Sequence, residues 1–115
     1  MTTKVTQNLA GPSKINAQTG TTYTAVITDH TVTLSNAGTI VFTVPANSAV
    51  AFPIGHIITV WFYGAGIPTI TFDTGVTGNG VSAGSGAMSA QYGAVSLLKI
   101  GTDEWLMAGS HAAVA

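Results

Sequence analysis

Apolar and polar residues alternate with a period of two through much of the chain, and the clearest stretch runs from about His56 to Tyr63. Successive side chains of a strand point to opposite faces. Ile58, Val60 and Phe62 therefore share one face, and Ile57, Thr59, Trp61 and Tyr63 share the other. Both faces are mainly apolar. A strand of this kind is covered on both sides, and in a chain of 115 residues the second cover is expected to be another copy of the protein. Ile57, Thr59, Trp61 and Tyr63 are accordingly the candidate subunit interface.

The same alternation predicts earlier strands at Tyr23–Ile27, Thr31–Leu34 and Thr39–Val44, with turns at Asp29-His30 and Asn36-Ala37-Gly38. In the third of these Ile40, Phe42 and Val44 face one way, with Thr39, Val41 and Thr43 opposite. Gly64-Ala65-Gly66 stops the central strand, and Pro68–Asp73 alternates again. Thr74 to Ala90 is nearly all Gly, Ser, Ala, Thr and Val, and reads as a long loop or loose hairpin about a tight Asn79-Gly80 turn. Ala94–Ile100, the Gly101-Thr102-Asp103 turn and Glu104–Ala108 form a closing hairpin. No segment shows a helical period. The expectation is an all-β fold, a small antiparallel β-sandwich or jelly-roll-like barrel of about seven to eight short strands.

Ahead of these strands, residues 1–22 are polar, broken at Gly11-Pro12-Ser13, with Val5, Leu9 and Ile15 isolated. They read as an extended N-terminal arm before a β-domain at 23–109, and residues 110–115 as a C-terminal tail. An arm without a face of its own can hold a neighbour by adding to a sheet edge. Lys4, Val5, Leu9 and Ile15 are its candidate attachment residues.

Composition sharpens the picture. Apolar residues make up 46% of the chain and charged residues only 6%, where about 25% is usual for a soluble globular protein. No arginine is present, and no charge falls between Asp29 and Asp73 or between Asp73 and Lys99. A small domain normally stays in solution behind a mixed charged surface. Here much of the surface is expected to be buried against neighbours, with threonine hydroxyls facing the remaining water. Three lysines cannot neutralise a run of phosphates, so nucleic-acid binding has no electrostatic footing. No basic amphipathic helix is available for a membrane surface. The uncharged Ala49–Gly66 stretch is broken by Pro53, Gly55, His56 and Gly64, so a membrane span is not expected. With no cysteine there is no disulfide frame or thiolate chemistry.

Candidate chemistry is thin. Gly80-Val81-Ser82-Ala83-Gly84 matches the G-x-S-x-G pattern, with Asp103 and His111 following in hydrolase order. That motif needs a strand, a strained turn and a helix, and no helix-forming residues follow Ser82. Gly78-Asn79-Gly80 and Gly84-Ser85-Gly86 lack the lysine and helix start of a phosphate loop. His30, His56 and His111 are far apart in sequence without metal-ligand spacing, although one histidine per subunit could hold an ion on a symmetry axis. Glu104 lacks a facing carboxylate partner. Tyr63, Tyr92, Trp61 and Trp105 could stack on sugars, but in alternating strands they serve more often in a core or interface. No catalytic residue, cofactor or metal is expected.

Thr43-Val44-Pro45, Phe52-Pro53-Ile54-Gly55 with Ile58 and Val60, Gly64-Ala65-Gly66, Gly75-Val76-Thr77, Gln91-Tyr92, Leu97, Lys99-Ile100-Gly101 and Glu104-Trp105 occur in an order that resembles a module of tailed-bacteriophage virions. That module is similar to the β-structured units of tail fibres, tail spikes and small capsid decoration proteins, and the match runs from about Asn16 to Gly109. The resemblance implies β-structure, usually trimeric, and a binding or structural role without catalytic residues. It departs at His56, where relatives usually have a small polar residue, and at Trp61-Phe62, where they more often carry polar ones. With only a short arm before the β-region, the expectation is a non-enzymatic capsid decoration (cement) protein of the virion. It would be a homo-oligomer, a trimer, bound to the major capsid protein. The alternative is a tail-fibre or receptor-binding tip that meets a host surface glycan or protein as a tail component.

Overall fold

The computed structural model describes residues 14–115. Its first half is a stack of three coils, each crossing from one sheet to a second sheet and back. The first coil is β1 (Ile15–Gln18) and β2 (Thr22–Thr24), the second β3 (Thr31–Leu34) and β4 (Val41–Val44), the third β5 (Ile57–Phe62) and β6 (Thr69–Phe72). In one sheet β1, β3 and β5 pair in parallel, and in the other β2, β4 and β6 do the same. Parallel neighbours need a crossover between them, and here each crossover is a strand of the opposite sheet.

Register explains why the coils stack. Val32 lies beside Val60 and Leu34 beside Phe62, while Phe42 lies beside Ile70 and Val44 beside Phe72. Each of these side chains is at most 1% exposed, and together they fill the space between the sheets. Full burial of each contributes roughly 1.5–3 kcal/mol. The turns stack as closely as the strands. Asn36 Nδ2 donates to the Thr19 carbonyl of the coil below, and the Gly66 N–H of the coil above donates to the Asn36 carbonyl. A Cβ on Gly66 would sit 1.9 Å from the Gly38 carbonyl oxygen, so this crossing admits only glycine without a shift of the backbone.

The first coil ends the core with polar groups. Asn16 and Gln18 stand in register with Val32 and Leu34, and Tyr23 with Phe42. Gln18 Nε2 donates to Asn16 Oδ1 at 2.8 Å. Asn16 Nδ2 donates to the Tyr23 hydroxyl at 2.6 Å and to Asp29 Oδ1 at 2.9 Å. Asp29 Oδ2 accepts from the Tyr23 hydroxyl at 2.6 Å and from the Val26 N–H at 2.9 Å. The Asp29 carboxylate is only 3% exposed, and these three donors replace its water. Burial holds the Tyr23 hydroxyl proton well beyond the usual phenol range, and the hydrogen bond to Asp29 and that carboxylate's charge push the same way.

The second half is antiparallel apart from one parallel pair, and it closes both sheets. After β7 (Thr77–Gly78), β8 (Val81–Ser82) and β9 (Ser85–Ala87) comes the long hairpin of β10 (Ala94–Gly101) and β11 (Glu104–Gly109). The seven-stranded sheet runs β1-β3-β5-β10-β11-β7-β8, and the four-stranded sheet β2-β4-β6-β9. Asn79 and Gly80 both have positive φ, 47° and 83°, as a two-residue type I′ hairpin requires. The Asn79 amide also pairs with β11 like a short strand, accepting from the Met107 N–H and donating to its carbonyl.

Several expectations change. The fold is all-β, but the described residues form eleven strands in two mixed sheets rather than seven or eight in an antiparallel sandwich or jelly roll. Period-two alternation fixes which side chains point inward and leaves strand direction open. The arm boundary at residue 22 falls within the fold, because β1 and the first residue of β2 precede it and belong to strands of the first coil. Val26 and Ile27, expected in a strand, lie in an exposed turn. The tail is part of the body: His111 bridges to Met88, Ala112 N–H donates to Ala87, and Ala115 and Ser85 exchange two hydrogen bonds along β9. The Thr74–Ala90 loop contains β7, β8 and β9.

Candidate functional site

The two sheets present outer faces of different chemistry. On the four-stranded sheet, Thr24, Thr43, Thr71 and Ser85 stand in one cross-strand row, and Thr22, Val41, Thr69 and Ala87 in the next. This face is a hydroxyl ladder suited to water.

On the seven-stranded sheet the pairing gives three other rows. Ile57, Leu98 and Leu106 form one. Ile15, Thr31, Thr59, Ser96 and Ala108 form the second, and Ala17, Thr33, Trp61 and Ala94 the third. Ile57 is 50% exposed, Trp61 45%, Leu106 44% and Ile15 65%. Among the described residues on the outward side of β1, β3, β5, β10 and β11, Glu104 alone carries a charge. Tyr63 continues the β5 face, half exposed, and its carbonyl accepts from the Gln91 side chain. Tyr92, at φ 67° in the same turn, is 72% exposed. The exposed apolar side chains on this face are interleaved with the hydroxyls of Thr31, Thr33, Thr59 and Ser96.

The structure thus places Ile57, Thr59, Trp61 and Tyr63 together on one outer face, opposite the core residues Ile58, Val60 and Phe62. Among the described residues nothing covers Ile57, Trp61 or Tyr63, which are about half exposed. Ile15 lies on the same face through β1, while Lys4, Val5 and Leu9 lie outside the described residues. Trp105 is separated from the other aromatics: it is 1% exposed in the core, its ring edge-on to Phe52 at 5.5 Å.

Ser82 is exposed at the end of β8 and is followed by Ala83 at φ 53°, not by a helix. Asp103 Oδ1 accepts from the Asn47 N–H, and the His111 ring bonds the carbonyls of Met107 and Ala112. Among the described residues no hydrogen bond joins Ser82, His111 and Asp103 in a relay. His30 and His56 are far apart in sequence but their rings meet at 4.8 Å, tilted by 38°, and Phe52 packs on His56 at the same distance and tilt. His56 Nε2 donates to the Asp29 carbonyl. Among the described residues no group of three or more His, Cys, Asp or Glu is placed to hold a metal ion. Val26, Ile27, Ala49, Val50 and Ala51 line a shallow apolar depression of about 500 Å³.

Lys99 escaped the sequence reading. It occupies an inward position of β10 and is 2% exposed, yet no carboxylate pairs with it among the described residues. Its Nζ donates to Asn47 Oδ1 at 2.6 Å and to the Phe52 carbonyl at 2.8 Å. The signal available was a lone lysine within an alternating apolar run, at a position whose parity points inward.

No protein-family model matches this chain, and a search of curated proteins finds no match either.

Proposed function

We propose that this chain is a non-enzymatic structural protein of a bacteriophage virion. In this reading it is a capsid decoration protein that self-associates, as a trimer, through the outer face of its seven-stranded sheet. The observation that carries the proposal is the set of large apolar side chains, Ile15, Ile57, Trp61, Tyr63 and Leu106, exposed on the seven-stranded sheet's side, where the other sheet shows water mainly threonine hydroxyls. With 6% charged residues, such a surface favours association over free diffusion. The order of motifs that resembles virion modules supplies the setting, with the major capsid protein as the partner beneath.

The test is to add purified protein to phage particles that lack it and locate it by electron microscopy. Regular density on the shell supports the decoration reading. Density at the tail tip replaces it with the second reading, a fibre tip that contacts host glycan. That second reading is favoured by the exposed aromatics Trp61, Tyr63 and Tyr92 near one end of β5. Absence from both places removes the virion assignment.

A further inference from the structure

We propose that Lys99 and Asn47 form an intramolecular isopeptide bond, made by the protein itself once folded. The inference rests on the part-buried contact between β10 and the loop joining β4 to β5, and is independent of the virion reading.

The geometry places nucleophile and electrophile in contact. Lys99 Nζ lies 2.6 Å from Asn47 Oδ1. A carbonyl bond is about 1.23 Å long, so the nitrogen is within about 3.8 Å of the amide carbon. Reacting atoms of a near-attack arrangement stand about 3–3.5 Å apart. Both partners are fixed from behind. The second acceptor of Lys99, the Phe52 carbonyl, anchors its nitrogen, and the Asn47 backbone N–H is held at 2.7 Å by Asp103 Oδ1. Asp103 is therefore a positioning residue, tying the loop to the β10–β11 turn.

The environment favours attack. Lys99 is 2% exposed and lies among Phe52 and Trp105, which are 3% and 1% exposed. The hydrogen bond to Oδ1 polarises the carbonyl.

The step balances without an oxidant or cofactor. The Lys99 nitrogen bonds to Asn47 Cγ, the bond from Cγ to the side-chain nitrogen breaks, and ammonia leaves. The two protons that the lysine ammonium sheds both pass to the departing nitrogen, so an ammonium and an amide become an isopeptide and an ammonium ion. The product joins positions 52 residues apart and clasps the long β4–β5 loop to the hairpin that closes the sheet.

The test is the intact mass of the full-length folded protein under denaturing conditions, followed by fragment mapping. The expected result is a chain lighter than its sequence by one ammonia, about 17 Da, with a branched fragment joining the Asn47 and Lys99 peptides. Asn47→Ala should keep its full sequence mass. Asn47→Asp should lose one water instead and give the same product as the natural chain. Full sequence mass in wild type after prolonged incubation in the folded state overturns the proposal. So does a loss of ammonia mapped to any other pair.

Discussion

The polar end of the coil stack makes a quantitative prediction. Asp29→Ala removes an acceptor that serves three donors: the Tyr23 hydroxyl, the Asn16 amide and the Val26 N–H. Hydrogen bonds to a charged group contribute roughly 1.5–3 kcal/mol each. Against that sum stands the desolvation of a carboxylate that is 3% exposed, a cost that disappears with the charge. Asn16 and Tyr23 are half-buried, so water reaches part of what is left. The expected net loss is about 2–4 kcal/mol, a large share of the roughly 5–15 kcal/mol typical of a domain. Tyr23→Phe deletes one of the three bonds and should cost about 1–2 kcal/mol. The double variant should lose less than the sum, because both changes break one network.

Urea unfolding at neutral pH followed by circular dichroism measures all three variants. Alkaline titration adds a second readout. The fold favours the protonated Tyr23 hydroxyl, so its contribution is complete below the unfolded phenol pKa of about 10 and is lost as pH rises above it toward the higher folded value. Wild type should therefore weaken above that point by more than Tyr23→Phe does. Asp29→Ala within about 0.5 kcal/mol of wild type, the range of an ordinary surface change, would refute the reasoning.

Other substitutions probe the stack and its closing turns. Phe42→Ala, at a fully buried position, should cost about 3–5 kcal/mol in the same urea assay. Gly66→Ala should lower the melting temperature by several degrees, since its Cβ must displace the Gly38 backbone and a shift of ~1 kcal/mol moves a domain this size by about 4–8 °C. Asn79→Ala breaks both bonds to Met107 and strains a residue at positive φ. It should cost about 1–3 kcal/mol, with amide hydrogen exchange at Met107 accelerated.

How much of this was legible in the sequence depends on which feature is asked for. The inward and outward parity of Ile40, Phe42 and Val44, or of Ile58, Val60 and Phe62, followed directly from alternation, and Asn79-Gly80 announced its turn. Strand direction did not follow. The one clue lay in repetition: Thr31-Val32-Thr33 recurs as Thr59-Val60-Trp61, and Val41-Phe42-Thr43 as Thr69-Ile70-Thr71, with the same 28-residue step in both sheets. Unequal crossovers hide that period, since the β4–β5 loop is far longer than the turn from β2 to β3. The polar cap was missed because Asn16 and Gln18 read as arm residues until a neighbouring coil gives them a register. The Lys99–Asn47 contact spans too many residues for any local pattern to report.

The central claim is that the outer face of the seven-stranded sheet, where Glu104 is the one charge among the described residues, is buried between copies. Sedimentation equilibrium of the full-length chain at micromolar concentration tests it most directly, with Trp61→Asp as the paired variant. The account predicts a wild-type species near three times the 11.6 kDa chain mass. It predicts a variant that runs as a folded monomer or aggregates, because an unpaired charge in a closed interface costs several kcal/mol. A wild-type protein that sediments as an 11.6 kDa monomer, unchanged by Trp61→Asp, would contradict it.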